Sequence, residues 1–274
     1  MIMLLKHEFL RTRNMLALVA GVAVLVALAG TLLAATGWPG LTQVGLAAAV
    51  AAVIGLVPAS QLALAVTYWR SSYGRTGYLT QTLPVKGSTI YWAKMLWAWL
   101  VSVVGAAISI AIALAAAPLA ARGTGADPGS VLTTLREGWA TLYETAGVGG
   151  MTAAIAALVL LILIWPTQYF FAASIGSQAP LNRMGVAGPV VVWLGLYVIT
   201  QVLTFASFAA VPLAIGMDGG RLGIVRFNLF EEMTVGVNAS AEVMPLGFLP
   251  ALLLATMVCL VWSVRSWNRR VSLV

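Results

Sequence analysis

Met15-Leu-Ala-Leu-Val-Ala-Gly-Val-Ala-Val-Leu-Val-Ala-Leu-Ala-Gly-Thr-Leu-Leu-Ala-Ala35 runs for a membrane's width without a charge. About 20 apolar residues in a helix cross the ~30 Å hydrocarbon core, and a helix satisfies its own backbone there. The stretch is also too long for the 7 to 15 residue apolar core of a signal peptide, so it reads as an uncleaved first span.

Five further runs repeat the pattern: Val44 to Tyr68, Ala93 to Ala120, Val148 to Ser174, Val186 to Leu213 and Val243 to Val264. Only 8% of the 274 residues are charged, 61% are hydrophobic and the mean hydropathy is +0.97, where a soluble domain carries about a quarter charged residues. The expected fold is all-α: a polytopic helical membrane protein with six transmembrane helices, forming a single transmembrane domain over 1–274. Ahead of the first span, Ile2, Leu5 and Phe9 recur at helical spacing with Lys6 and Arg13 elsewhere on the wheel. This predicts an N-terminal interfacial amphipathic helix over 1–14, with simple continuation into the first span as the alternative.

The charges divide by side. Eleven of the 15 Lys and Arg fall on the side of the termini, of Arg70, Arg75, Lys86 and Lys94, and of Arg183, while Arg122, Arg136, Arg221 and Arg226 fall on the other. By the positive-inside rule this expects both termini in the cytoplasm of a cell-membrane protein. The net charge of +7 is accounted for by that division, so nucleic acid is not an expected partner. Membrane lipid is. The single cysteine, Cys259, allows no intrachain disulfide and lies in an apolar run, which expects a packing or lipid-facing role.

Segment 214–242 is long for a connector and mixes apolar with acidic residues, as in Phe227-Asn-Leu-Phe-Glu-Glu-Met233. Short outer-surface helices, or a dip back into the membrane, are expected there. Prolines 58, 118, 166, 189 and 212 interrupt or bound spans, and small residues recur in Gly45–Gly55 and Ser102–Ser109, a pattern of close helix packing.

No phosphate-loop, Gly-x-Ser-x-Gly or His-Glu-x-x-His motif occurs, and one histidine cannot build a metalloprotease site. The six spans hold no Asp, Glu, Arg or His, and their only Lys is Lys94, at a span end. Ion-driven transporters keep such groups inside the membrane because the coupling ion needs ligands. No enzyme activity and no cofactor or metal is expected from this chain. The polar groups within spans include Gln61, Gln201 and Thr204, which are possible pathway-lining residues, with interhelical hydrogen bonding as the plainer role. Without an energy site of its own, the chain is passive or takes work from a partner.

Segment 69–94 is where a partner would push. It carries Arg70, Arg75, Lys86 and Lys94 and no acid, together with Tyr73, Tyr78 and Leu83-Pro84, apolar groups that need a covering surface. Its end, Leu83-Pro-Val-Lys-Gly-Ser-Thr-Ile90 followed by Ala93-Lys-Met-Leu96, resembles the pattern after the second span of permeases in the type-2 exporter class of ABC transporters. Six spans, internal termini and a longer loop before the last span are similar to that family in layout. The resemblance implies a dimer with a second permease copy or a related permease, and a separate ABC ATPase subunit docked on this cytoplasmic segment. Residues 72–83 would be a coupling helix, with Tyr73, Gly77, Tyr78, Leu83, Pro84 and Lys86 as partner-coupling residues. Lys86-Gly87 departs from the family's small-polar-then-Arg pair and lacks the bidentate geometry of arginine. A membrane interaction, assembly or sensory protein without transport is the alternative reading.

Overall fold

The computed structural model describes residues 1–74, 77, 80, 82, 84–218, 221–228, 230 and 243–269. The helices are α1 (Ile2–Ala34), α2 (Leu41–Ser72), α3 (Gly87–Gly123), α4 (Pro128–Gly176), α5 (Ala187–Ala210) and α6 (Phe248–Arg269), with a 3-10 turn at Leu181–Met184. All six are long and apolar enough to cross a membrane, and the chain is a multi-pass helical membrane protein. Residues 2–14 do not form a separate element. They continue into the first span as one helix of 33 residues, the alternative the sequence left open, giving a rod of about 50 Å that outruns the hydrocarbon core.

The chain divides into two compact units, residues 1–72 with 79–140, and residues 73–78 with 141–274. In the first, α1, α2 and α3 pack on one another through small residues. A Cβ built on Gly30 would stand 2.6 Å from the Gly45 carbonyl oxygen and 2.7 Å from the Ala49 amide, so the α1 and α2 backbones touch. Ala27, Ala34 and Ala49 complete the buried seam. With lipid as apolar as leucine, such close approach and the dispersion it brings hold spans together. Pro58 and Pro118 lie inside helices that run on through them.

In the second unit the last part of α4 buries Ile164, Phe170 and Phe171, and Phe171 meets Trp262 of α6 edge-on at 5.9 Å. Gly176 and Gly188 pass backbone to backbone at the end of α4 and the start of α5. Cys259 is 1% exposed, a packing residue.

Two elements differ from the sequence reading. The segment after α5 begins with strands, where the sequence expected short helices or a dip back into the membrane; Phe230 is helical, and most of 227–233 lies outside the described residues. Leu213–Asp218 (β1) pairs antiparallel with Arg221–Arg226 (β2) and with Met244–Pro245 (β3), in the order β2-β1-β3. Alternation explains it: Ala214 and Gly216 are buried while Leu213, Ile215 and Met217 are exposed, a period of two. Residues 231–242 lie outside the described residues. The segment between the third and fourth spans is also helical from Pro128, and proline suits a first helical position. The helical path breaks once, at Gly147 (φ 64°, ψ 179°).

Gly45→Ala should lower the thermal stability of the purified protein in detergent by about 2 kcal/mol, because its methyl has no room. Gly55→Ala, with open space around it, should be neutral or stabilising. Equal melting of Gly45→Ala and the parent would refute the backbone contact.

Candidate functional site

At one end of the first unit the early turns of α1, the last turn of α2 and the early turns of α3 meet. Glu8 and Thr12 share a face of α1, one helical turn apart, and Lys94 and Trp97 share a face of α3. The Lys94 ammonium donates to Glu8 Oε1 at 2.7 Å and to Ser71 Oγ at 3.0 Å, and Lys94 is only 4% exposed. Beside it Trp97 Nε1 donates to Thr12 Oγ1 at 2.9 Å, and the Phe9 ring stands edge-on to Trp97 at 5.7 Å. Three helices are thus tied by one buried cation. The sequence reading set Lys94 at a span end and did not pair it with Glu8. A signal existed, since Glu8 is the sole acid among the residues preceding the first span.

The connector between α2 and α3 carries most of the partner-coupling residues named from the sequence. Tyr73 is 1% exposed, its ring centroid 5.8 Å from that of Trp267. This corrects the expectation of an exposed anchor: the surface that covers Tyr73 is the chain's own α6. Gly77 is helical and buried, with its amide donating to the Gly74 carbonyl at 2.7 Å. Thr80 Oγ1 donates to the Ser71 carbonyl at 2.7 Å, closing the segment back onto the end of α2. Pro84, Val85 and Lys86 are exposed, and α3 starts immediately after them. Tyr78 and Leu83 lie outside the described residues. Val85, not singled out before, is 45% exposed and the most apolar of the three.

The three pathway candidates separate. Gln61 belongs to the first unit and is 1% exposed; its Nε2 donates to Ser102 Oγ at 3.0 Å, an interhelical lock. Gln201 and Thr204 belong to the second unit, where they line a cavity of about 340 Å³ with Gln168, Thr200, Trp165 and Tyr197. That volume is in the range of small-molecule sites. Thr200 Oγ1 is buried and makes no hydrogen bond among the described residues. Four rings run alongside: Trp165 to Tyr169 and Tyr169 to Trp193 at 6.2 Å, and Trp193 to Tyr197 at 6.0 Å. Among the described residues no charged side chain lines the cavity. Its walls can receive an uncharged molecule with hydrogen-bonding groups. Among the described residues no group of three or more His, Cys, Asp or Glu side chains converges.

The buried pair generates a sharp expectation. Glu8→Gln or Lys94→Met alone should cost on the order of 3 kcal/mol in detergent unfolding, because each leaves an uncompensated buried group. The double variant Glu8→Met with Lys94→Met should recover most of that loss. A double variant as unstable as the sum of the singles would show that the two charges act independently.

No protein-family model, curated protein or solved structure matches the chain.

Proposed function

We propose that the chain is the membrane-spanning permease subunit of an ATP-driven transporter of the ABC type-2 class, an exporter energised by a separate ATP-hydrolysing subunit. The observation that carries this reading is the exposed Pro84-Val85-Lys86 at the head of α3, within the stretch that resembles the family's pattern. Work enters by contact at these residues. From there α3 runs 37 residues, a rod of about 55 Å, so a push at its head is carried the length of a span. The Lys94 tie to Glu8 and Ser71 makes α1 and α2 move with it.

Segment 69–94 and both termini are cytoplasmic, in keeping with the division of basic residues. A second permease copy or a related chain completes the assembly. The uncharged cavity with Gln201 and Thr204 supports a path for neutral, amphipathic molecules rather than ions.

Two experiments test the proposal. In a Cys259→Ala background, Lys86→Cys should react with an impermeant maleimide only from the cytoplasmic side and Glu232→Cys only from outside; the reverse pattern would overturn the topology. The second replaces Val85 with Asp and Leu83 with Ala. An aspartate placed in the contact leaves an unpaired charge to be desolvated, so ATPase binding should weaken more than tenfold while membrane insertion is unchanged. Parental affinity and parental ATP hydrolysis in reconstituted vesicles would sink the coupling role of this segment.

A further inference from the structure

The helical segment 128–146 precedes the break at Gly147 and has a face that none of the described residues covers. At 100° per residue, Val131, Leu132, Leu135, Trp139, Leu142 and Tyr143 fall within an arc of about 120°. Glu137 and Glu144 lie opposite, among threonines and a serine. Every residue from 132 to 144 is exposed, and Leu132 and Trp139 are exposed by 54% and 58%. Most of the stability of a helix in a protein comes from packing its amphipathic face. Its apolar stripe therefore needs an occupant.

Three observations point to lipid. The segment leads, through one residue, into the span beginning at Val148, whose Val148, Ile155 and Leu158 are likewise exposed and apolar as a lipid-facing wall is. The linking residue, Gly147 (φ 64°, ψ 179°), holds a backbone region essentially confined to glycine, so the chain changes course right at the head of a span. The stripe carries Trp139 and Tyr143, the ring types that settle at headgroup depth, and the opposite face carries the acids.

We infer that residues 128–146 are a monotopic surface helix, immersed through Leu132, Leu135, Trp139 and Leu142 in the interface of the leaflet where the fourth span begins. Arg136 stands at the edge of the stripe with its stem along the apolar face and its guanidinium at headgroup level. One arginine against two glutamates leaves no cationic excess, so the helix does not select anionic lipid. Zwitterionic phospholipid suffices.

The test uses the full chain with Cys259→Ala in phosphatidylcholine nanodiscs, spin-labelled at single cysteines. Leu135→Cys and Trp139→Cys report the stripe, Glu137→Cys and Thr141→Cys the opposite face, and Leu158→Cys supplies the reference for a lipid-exposed span position. The ratio of collisions with oxygen to collisions with a water-soluble nickel chelate should be roughly fivefold higher at the stripe than opposite it. Adding phosphatidylglycerol should leave that contrast unchanged. High nickel access at all four helix positions would mean a helix standing in water and would overturn the inference. Low access to both reagents at the stripe would mean that protein, such as a second copy, covers it, and would overturn it equally. Four conservative sites and an internal lipid reference keep the readout interpretable if one variant fails to fold.

Discussion

Hydrocarbon offers no hydrogen bonds, and that absence shapes nearly every polar side chain of the spans. Thr12, Thr31, Ser60, Ser102, Thr167 and Thr256 each donate to the carbonyl four residues back, at 2.6 to 2.9 Å. The hydroxyl hydrogen is thereby satisfied within its own helix, and the outer surface of the helix can remain apolar. A few groups reach across instead. Ser102 accepts from Gln61 while donating to its own helix, and Ser109 Oγ donates to the Val53 carbonyl at 2.9 Å. These bonds are specific because no water competes for them.

The same scarcity governs the buried ion pair. Removing an ammonium and a carboxylate from water is costly, and the attraction between them recovers that cost only with good geometry and further partners. Lys94 has both, with Glu8 at 2.7 Å and Ser71 at 3.0 Å. Glycine contact alone would let α1 and α2 slide or rotate past one another. A cation anchored at one end fixes the rotation of α3 against both, since a turn of one residue would carry Lys94 about 100° away from Glu8. Close packing gives the first unit its cohesion, and the charge gives it a register.

How far the sequence could be read follows from the range over which each signal acts. The six spans were legible because uncharged length is a local property that no tertiary contact reverses. Their ends were not: α1 starts 13 residues before the apolar run, because helix continues wherever nothing stops it. The hairpin was legible in principle, since Gly219-Gly220 stands between the paired Asp218 and Arg221, but the acidic and apolar mixture around it drew the reading towards helices. Helix 128–146 is less plain in the sequence because Gly129 and Gly138, with Arg136, Glu137 and Glu144, break up its apolar period. Lys94 with Glu8, 86 residues apart, and Tyr73 with Trp267 are long-range facts. No local window contains them.

Tyr73 illustrates why exposure cannot be inferred from a loop assignment. An aromatic residue in a turn-rich basic segment looked available for a partner, yet its ring is covered by α6 of the same chain. Among the described residues of this segment, Thr82 and the short run Pro84-Val85-Lys86 are exposed, and this bears on the docking proposed there. Proline fixes its own backbone, so ordering this run on contact has a small entropic cost. Under the proposed function, the one exposed valine among the described residues of this segment supplies little area, so affinity would come from several contacts acting together. In the first unit, Gln61 and Lys94 already have their hydrogen-bond partners within the unit, whereas in the second Thr200 has none among the described residues and stands on a cavity beside Gln168 and Gln201. A polar group left open in hydrocarbon is a standing cost of roughly 1–3 kcal/mol. It is offset whenever a molecule with a suitable acceptor or donor enters, and under the proposed function that is the physical basis for looking to this cavity, rather than to Gln61, for contact with a transported molecule.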